Sequence, residues 1–574
     1  MDRLLNLIKT DNEENAILCV KICLDFAKYH QKSLSDRMQP FLDIIGDFLE
    51  SFEQLVKDTF SNPTQAGHPS VAAVTAPSPR PASPAVQKAA IDGEEQAVAL
   101  LPSQQSFKVM AEFPITVVSL FQIHRDLVQT NIRKFAPLLR GVLTAQAPPQ
   151  EQAHAEALAQ GKNFYGVAKD VKNRAAYGEF INVQVKTMSF LAYVLRGYAN
   201  QLQDFIPQLP GVMIRLLRDC PRERATTRKE LLVAIRHIIN FNFRKVFLKC
   251  LGDFLDERTL LGDGLAAQET QQAIAYSTIA DLLHHLRESL TPEQICTSVQ
   301  VYSKNLRKPF PGTNFALMSS KLLFNTAEYI GKMEDKQAAR YYLMMILEAV
   351  ADKLASMNRQ FENAVKVSSS HQDSQSGDIA PNEYLAVEDE PPDWDETEIF
   401  NTTPIKQLSS RDGRDDPVSD NKTLFKQLVN GLKSIVYQLR ICNPAPTVEP
   451  GNAPPNLQEV ASGFSAEEVE LFTKVFHEGI QIFRYYPADN SSTENQNLPI
   501  DHVGSHHVIY NKEEKEMLET FATIFHHIDP AVFHEVFCAE IPHMYEMMFD
   551  HPSLLQVPQF LLASEATSLS LIHI

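Results

Sequence analysis

Apolar residues recur at helical spacing along most of this chain. Ile181, Val185, Met188, Leu191 and Leu195 follow i, i+4, i+7 steps, the signature of one buried helix stripe. Val469, Phe472, Phe476, Ile480 and Phe483 repeat it, and Pro487 predicts the stop. The start of that helix is also written. Ser465 and Glu468 have the spacing of a capping box, with Phe464 and Val469 as a hydrophobic staple. Thr291 and Gln294 repeat the device, with Pro292 at the first helical position and Leu290 and Ile295 as the staple. No run of strict alternation competes, so strands are expected to be nearly absent.

Similar helix segments begin at Leu231 (LLVAIRHI), Leu282 (LLHHLRES) and Leu322 (LLFNTAEYI). Their intervals, 51 and 40 residues, are irregular but near the period of about 40–47 residues that marks HEAT and armadillo helix pairs. One helix pair cannot cover its own apolar face, and stacked pairs share a continuous core. The chain has 574 residues, too many for one compact bundle. The pattern predicts an all-α, HEAT/armadillo-like helical-repeat solenoid with two disordered insertions. The expected map is helical repeats over 1–60, a Pro/Ser/Ala-rich linker over 61–102, and repeats over 103–367. An acidic linker over 368–420, repeats over 421–567 and an atypical end over 568–574 complete it.

Composition supports the map. Only 21 residues are Gly, too few for an all-β chain with its frequent turns. The first linker holds seven prolines, and the second holds 14 acidic and 3 basic residues, a net of −11. That stretch accounts for most of the formal charge of −18, which disfavours direct nucleic-acid binding. The apolar runs are far too short for a membrane span, and the N-terminus lacks the core of a signal peptide. Seven cysteines lie without a C-x-x-C pair, and Cys19 and Cys23 share one helix face. They read as buried free thiols of an intracellular protein, with no zinc site.

Candidate chemistry is sparse. His124, Arg125, Asp126, Leu127 and Asn131 match the protein-kinase catalytic loop H-R-D-L-x-x-x-N. Val117, Phe121, His124 and Val128 keep helical spacing through it, however, and no Gly-rich loop, D-F-G or A-P-E accompanies the match. The segment is expected to be helical and structural. Histidine pairs at His284-His285, His506-His507 and His526-His527, with His534 beyond, carry no metal-site spacing. Trp394 sits among acidic residues in EDEPPDWDETEIF and reads as linker. No catalytic, cofactor-binding or metal-binding residue emerges. One stretch is basic: Arg222, Lys229 and Arg236 are spaced by seven and predict a cationic stripe on one helix face. That stripe is the candidate partner-binding site, suited to an acidic peptide or a neighbouring domain.

The same stretch carries a resemblance. Arg228 to Arg236 (RKELLVAIR) followed by HIINFNFRKVFL is similar to the helical-repeat region of TRRAP and its fungal orthologues. So are LDERTLLGDG (Leu255–Gly264), AYSTIADLLHHLRESL (Ala275–Leu290), VYSKNLRKP (Val301–Pro309) and HMYEMMFDHPSLLQVPQFLLASEAT (His543–Thr567). These giant scaffolds of SAGA-type histone acetyltransferase complexes are related to phosphatidylinositol-3-kinases. Their FAT region and a kinase-like domain lacking catalytic residues lie far downstream. The resemblance implies a non-catalytic, cofactor-free, nuclear scaffold segment. It would contact acidic activation domains and other complex subunits, with no direct nucleic acid and no membrane. The closing SLSLIHI departs from the family and reads as a truncated gene end. The rival expectation is a helical-repeat nuclear transport receptor, and a third, an active kinase, rests on the HRDL match alone.

Overall fold

Helices form wherever the apolar stripes run. The computed structural model describes residues 1–61, 100–263, 265–308, 312–372, 417–443, 464–483, 512–524, 528 and 530–550. Trp394, Pro487, the terminal 568–574 and most of both expected linkers lie outside the described residues, as do His506, His507, His526 and His527. Among the described residues the chain is all-α. Extended pairing is confined to a bridge between Asn12 and Pro102.

The chain divides into two compact units, Met1–Thr297 and Ser298–Ile574. The first contains α1 (Asp2–Thr10), α2 (Glu13–Tyr29), α3 (Gln31–Glu50), α4 (Phe52–Ser61), α5 (Phe107–Ile123), α6 (Asp126–Thr144) and α7 (Pro148–Ala159). It continues through α8 (Arg174–Tyr198), α9 (Leu209–Asp219), α10 (Ala225–Ile239), α11 (Leu251–Leu255), α12 (Glu257–Leu261) and α13 (Leu265–Leu286). Helix α14 (Pro292–Arg307) precedes those of the second unit: α15 (Gly312–Gly331), α16 (Lys336–Gln372), α17 (Pro417–Cys442), α18 (Ala466–Phe483), α19 (Lys512–Ile524) and α20 (Pro530–Asp550).

Packing runs from each helix to near neighbours in sequence, as repeat stacking requires. In the first unit α5, α6 and α10 lie against α8, and α13 against α10. All five predicted stripe residues of α8 are buried. Aromatic rings fasten these layers. Phe121, Phe135 and Phe190, from α5, α6 and α8, form a triangle with centroids 6.0–6.1 Å apart. Each such ring, fully removed from water, contributes about 1.5–3 kcal/mol.

Helices on either side of the first expected linker close on each other. Helix α2 packs on α5, and Glu13, almost fully buried, accepts from Ser106 Oγ at 2.6 Å and Lys108 Nζ at 2.9 Å. Helix α17 begins at Pro417 and α16 runs to Gln372, so both extend a few residues into the expected acidic linker.

In the second unit α15 and α17 make the most intimate contact, and two glycines allow it. A Cβ at Gly431 would overlap the Phe324 ring, and one at Gly331 would overlap the Gln438 amide. Intrinsic helix propensity alone favours alanine over glycine by about 1 kcal/mol. Packing reverses that sign here. Gly431→Ala is expected to lower the melting temperature in calorimetry, and Phe324→Ala in the same chain to recover part of the loss. A stabilised Gly431→Ala would refute the close approach.

Candidate interaction surface

The kinase-like match folds as a joint between helices. The helical spacing predicted one continuous helix through His124, but α5 ends at Ile123 and α6 starts at Asp126. His124 leaves the helical region at φ −116, ψ 78, and its carbonyl accepts from Leu127 N–H at 3.1 Å. The apolar spacing survives the break because Val117, Phe121, His124 and Val128 are all buried. Burial pushes the His124 imidazole below its ordinary pKa, against a smaller opposing pull from Asp126. Asp126 is exposed in the first turn of α6, where a carboxylate complements the helix dipole. Asn131 is buried and exchanges two amide hydrogen bonds with Gln39 of α3, at 2.9 and 2.8 Å. It also donates to Leu127 O. These groups hold helices together and do not converge on a common point.

The cationic stripe is not one helix face. Helix α10 begins at Ala225, so Arg222 lies on the preceding turn, beyond the reach of the helical spacing. Its guanidinium is 2.9 Å from Asp263, which also takes Arg258 at 2.9 Å. Those two cations, with the Arg258 hydrogen bond foremost, hold the Asp263 carboxyl below its usual range. Arg236, on α10, stands 3.6 Å from Asp281 of α13. Lys229 is exposed on α10 between them. Arg222 and Arg236 therefore answer acidic groups of neighbouring elements.

A neighbouring residue, invisible to that charge pattern, is the better organised. Arg228 is 6% exposed, and the Asp263 carboxylate acts on it by charge without a direct hydrogen bond. It donates instead to three carbonyls: Leu217 near the end of α9 at 2.6 Å, and Thr259 and Leu260 of α12 at 3.2 and 3.3 Å. Helix C-termini carry partial negative charge, which a buried cation neutralises. Gly262 then turns the chain at φ +76, and a Cβ there would press on the Arg228 guanidinium at 2.8 Å. Arg215 does the same for the end of α6, donating to Leu143 and Ala145 carbonyls. Gln184 of α8 joins it, reaching Val142 and Ala145.

The segment after α7 straps this region. Gly166 N–H donates to Arg218 O at 2.7 Å, and Gln150 holds both Gly166 O and Ala168 N–H. Tyr165 donates its hydroxyl to Asp256 at 2.8 Å and lies under the Arg258 guanidinium, 4.3 Å from the ring centroid. Buried Asp219 receives Gln150 at 2.9 Å and His154 at 2.5 Å. The outcome is a surface of mostly paired charges over a hydrogen-bonded polar layer, in which the buried Tyr177 hydroxyl and Gln184 Oε1 are left without a partner.

The remaining candidates carry little. His284 and His285 are exposed neighbours with rings 5.5 Å apart. None of the seven cysteines is in a disulfide, and burial, with a smaller push from Cys19, raises the Cys23 thiol to about 12. Among the described residues no helix is long and apolar enough to cross a membrane, and no group of three or more His, Cys, Asp or Glu side chains is placed to hold a metal.

Comparison with known proteins matches residues 176–574 to the family model described as the Tra1 HEAT repeat central region. The chain belongs to the Tra1/TRRAP family. It is 31% identical, over 99% of its length, to the "SAGA complex/NuA4 acetyltransferase complex subunit TRA1" of Saccharomyces cerevisiae. It is 32% identical, over 99% of its length, to the corresponding Tra1 of Schizosaccharomyces pombe. Against the human "Transformation/transcription domain-associated protein" identity is 27% over 98%. The chain spans 17%, 15% and 15% of those three relatives. Family and helical-repeat fold thus agree with the expectation. Two of the blocks that carry the resemblance face each other: RKELLVAIR supplies Arg228, and LDERTLLGDG supplies two of its three carbonyls and the glycine beside it.

Arg228→Met keeps the length and removes the donors, leaving buried carbonyls unpaired at about 1–3 kcal/mol each. It is expected to be among the most destabilising single changes in the first unit by urea denaturation, and Gly262→Ala to follow in the same direction. Asp126→Asn should shift stability by no more than about 0.5 kcal/mol, the range of ordinary surface substitutions. Near-neutral Arg228→Met would remove the guanidinium from the list of supports.

Proposed function

We propose that this chain is a non-catalytic scaffold segment of a nuclear transcription coactivator complex with histone acetyltransferase activity. It offers docking surface to complex subunits and to acidic activation domains. The observation that carries this reading is the family match over 176–574 on a chain built of stacked helices. The yeast relatives are named as subunits of the SAGA and NuA4 complexes, which supports complex subunits as partners. Repeat arrays suit the task because stacked helix pairs expose long continuous faces without needing a deep active cleft. The absence of catalysis is part of the proposal, supported by the structural employment of Asn131 and the exposed position of Asp126.

Within that reading, Lys229, Arg222 and Arg236 receive the acidic peptide. Lys229 supplies the exposed charge, while Arg222 and Arg236 exchange Asp263 and Asp281 for carboxylates of the ligand. Exposed ion pairs are each worth about 0–1 kcal/mol, so the three act only together. Charge reversal would set Glu against Asp263 and Asp281 and damage the fold, so neutral Gln is the informative substitution.

Affinity purification of the tagged chain from its own cells is expected to recover acetyltransferase-complex subunits. Recovery of nuclear transport factors in their place would overturn the scaffold reading. The triple change Arg222→Gln, Lys229→Gln and Arg236→Gln should weaken binding of an acidic, aromatic activation peptide and flatten its salt dependence, with circular dichroism unchanged. Unaltered peptide binding would move the activator surface elsewhere. ATP turnover should be no greater than that of Asp126→Asn.

A further inference from the structure

Helices α18 and α20 pack in the second unit, and their contact carries a polar cluster that the scaffold reading does not use. His477 and Gln481 are one turn apart on α18, while Glu540 and His543 are three residues apart on α20. His477 Nδ1 lies 2.8 Å from Glu540 Oε2. Its Nε2 lies 2.8 Å from the Gln481 amide nitrogen, and that same nitrogen is 3.0 Å from His543 Nε2. The two rings are 4.4 Å apart and inclined by 34°.

Hydrogen-bond chemistry fixes the tautomers. Ionised Glu540 only accepts, so His477 Nδ1 carries the proton and the neutral ring keeps its lone pair on Nε2. The Gln481 amide NH2 has two protons to donate and no lone pair to offer, so both Nε2 atoms accept from it. Two imidazole lone pairs thus converge on one point. The Glu540 side chain is only 9% exposed and fixes the ring from behind, whereas His477 is 34% exposed and open to an ion from solvent.

We propose that His477 and His543 form a two-imidazole site for a divalent transition-metal ion of the Zn2+ type, seated where the Gln481 amide now lies. Imidazole nitrogen suits Zn2+ and its neighbours in the first transition row, at bond lengths of about 2.0–2.1 Å. Gln481 withdraws its amide, water completes the coordination, and the small gap between the rings closes on the ion. Glu540 stays on the far nitrogen of His477, the outer carboxylate that orients a ligating imidazole and strengthens it as a donor. The bound ion joins α18 to α20 by two covalent-like links in place of two amide hydrogen bonds.

Isothermal titration of the full chain with Zn2+ alone, together with melting curves with and without Zn2+, tests this. The chain has 18 histidines, so weak surface binding is common to every variant and the differences carry the result. Wild type is expected to bind one equivalent above that background and to melt higher when loaded. His477→Ala and His543→Ala should each lose that equivalent, and Glu540→Gln should weaken it about 10–100-fold. Gln481→Ala should keep it or tighten it. His543→Ala serves if His477→Ala fails to fold. Equal Zn2+ affinity and equal melting shifts in wild type and folded His543→Ala would overturn the site. Loss of the equivalent in Gln481→Ala would overturn the seat assigned to the ion.

Discussion

A single buried guanidinium holds the ends of two helices in the first unit. Arg228 is surrounded by carbonyls of α9 and α12, with the Asp263 carboxylate acting on it by charge. Its charge is tolerated because helix ends concentrate unsatisfied carbonyls in one place. Burial still depresses its pKa, the expected cost of moving a cation away from water. The arrangement sets conditions on its surroundings. Gly262 must remain a glycine for the guanidinium to approach, and α10 must start at Ala225 to present Arg228 inward. Arg215 and Gln184 repeat the principle one layer away, at the end of α6. Helix ends, the weak points of any stacked array, are therefore closed by side chains of the next layer.

How much of this was legible in the sequence depended on whether the signal was local. The stripe of α8, both capping boxes and the buried cysteines were readable because spacing along one helix determines each. Ser465 and Glu468 exchange their two hydrogen bonds, as do Thr291 and Gln294. Phe464, ahead of that cap, sets its ring edge-on to Phe472, further along α18. Two errors share one cause. Apolar spacing ran through His124 without interruption, and basic spacing ran through Arg222 without interruption, yet a turn lies at each. Periodicity records which side of the chain is buried and does not register a turn that preserves the phase. Arg228 escaped notice for another reason. Its partners are backbone carbonyls about 11 and 31 residues away, and backbone atoms leave no trace in a sequence.

The kinase-like motif and the cationic stripe both place polar side chains in contacts between helices. Asn131 faces Gln39 across a helix contact, and Arg236 faces Asp281 across another. In a repeat array each helix meets a neighbour on both sides, so polar residues at the seams are used for registration between layers. What distinguishes the α18–α20 cluster is convergence: two ring nitrogens approach the same atom.

The two capping boxes have a consequence for how these helices open. Glu468 accepts the Ser465 N–H and also binds Arg340 of α16, and Gln294 caps its own helix while donating to Leu248 O at 2.7 Å. In each case one side chain both starts a helix and docks it. The first turn of α18 cannot fray without releasing α16, and undocking from α16 deprives that turn of its cap. Nucleation and docking are thus one cooperative event, and amide exchange in the first turn of α18 will report the integrity of the layer as a whole.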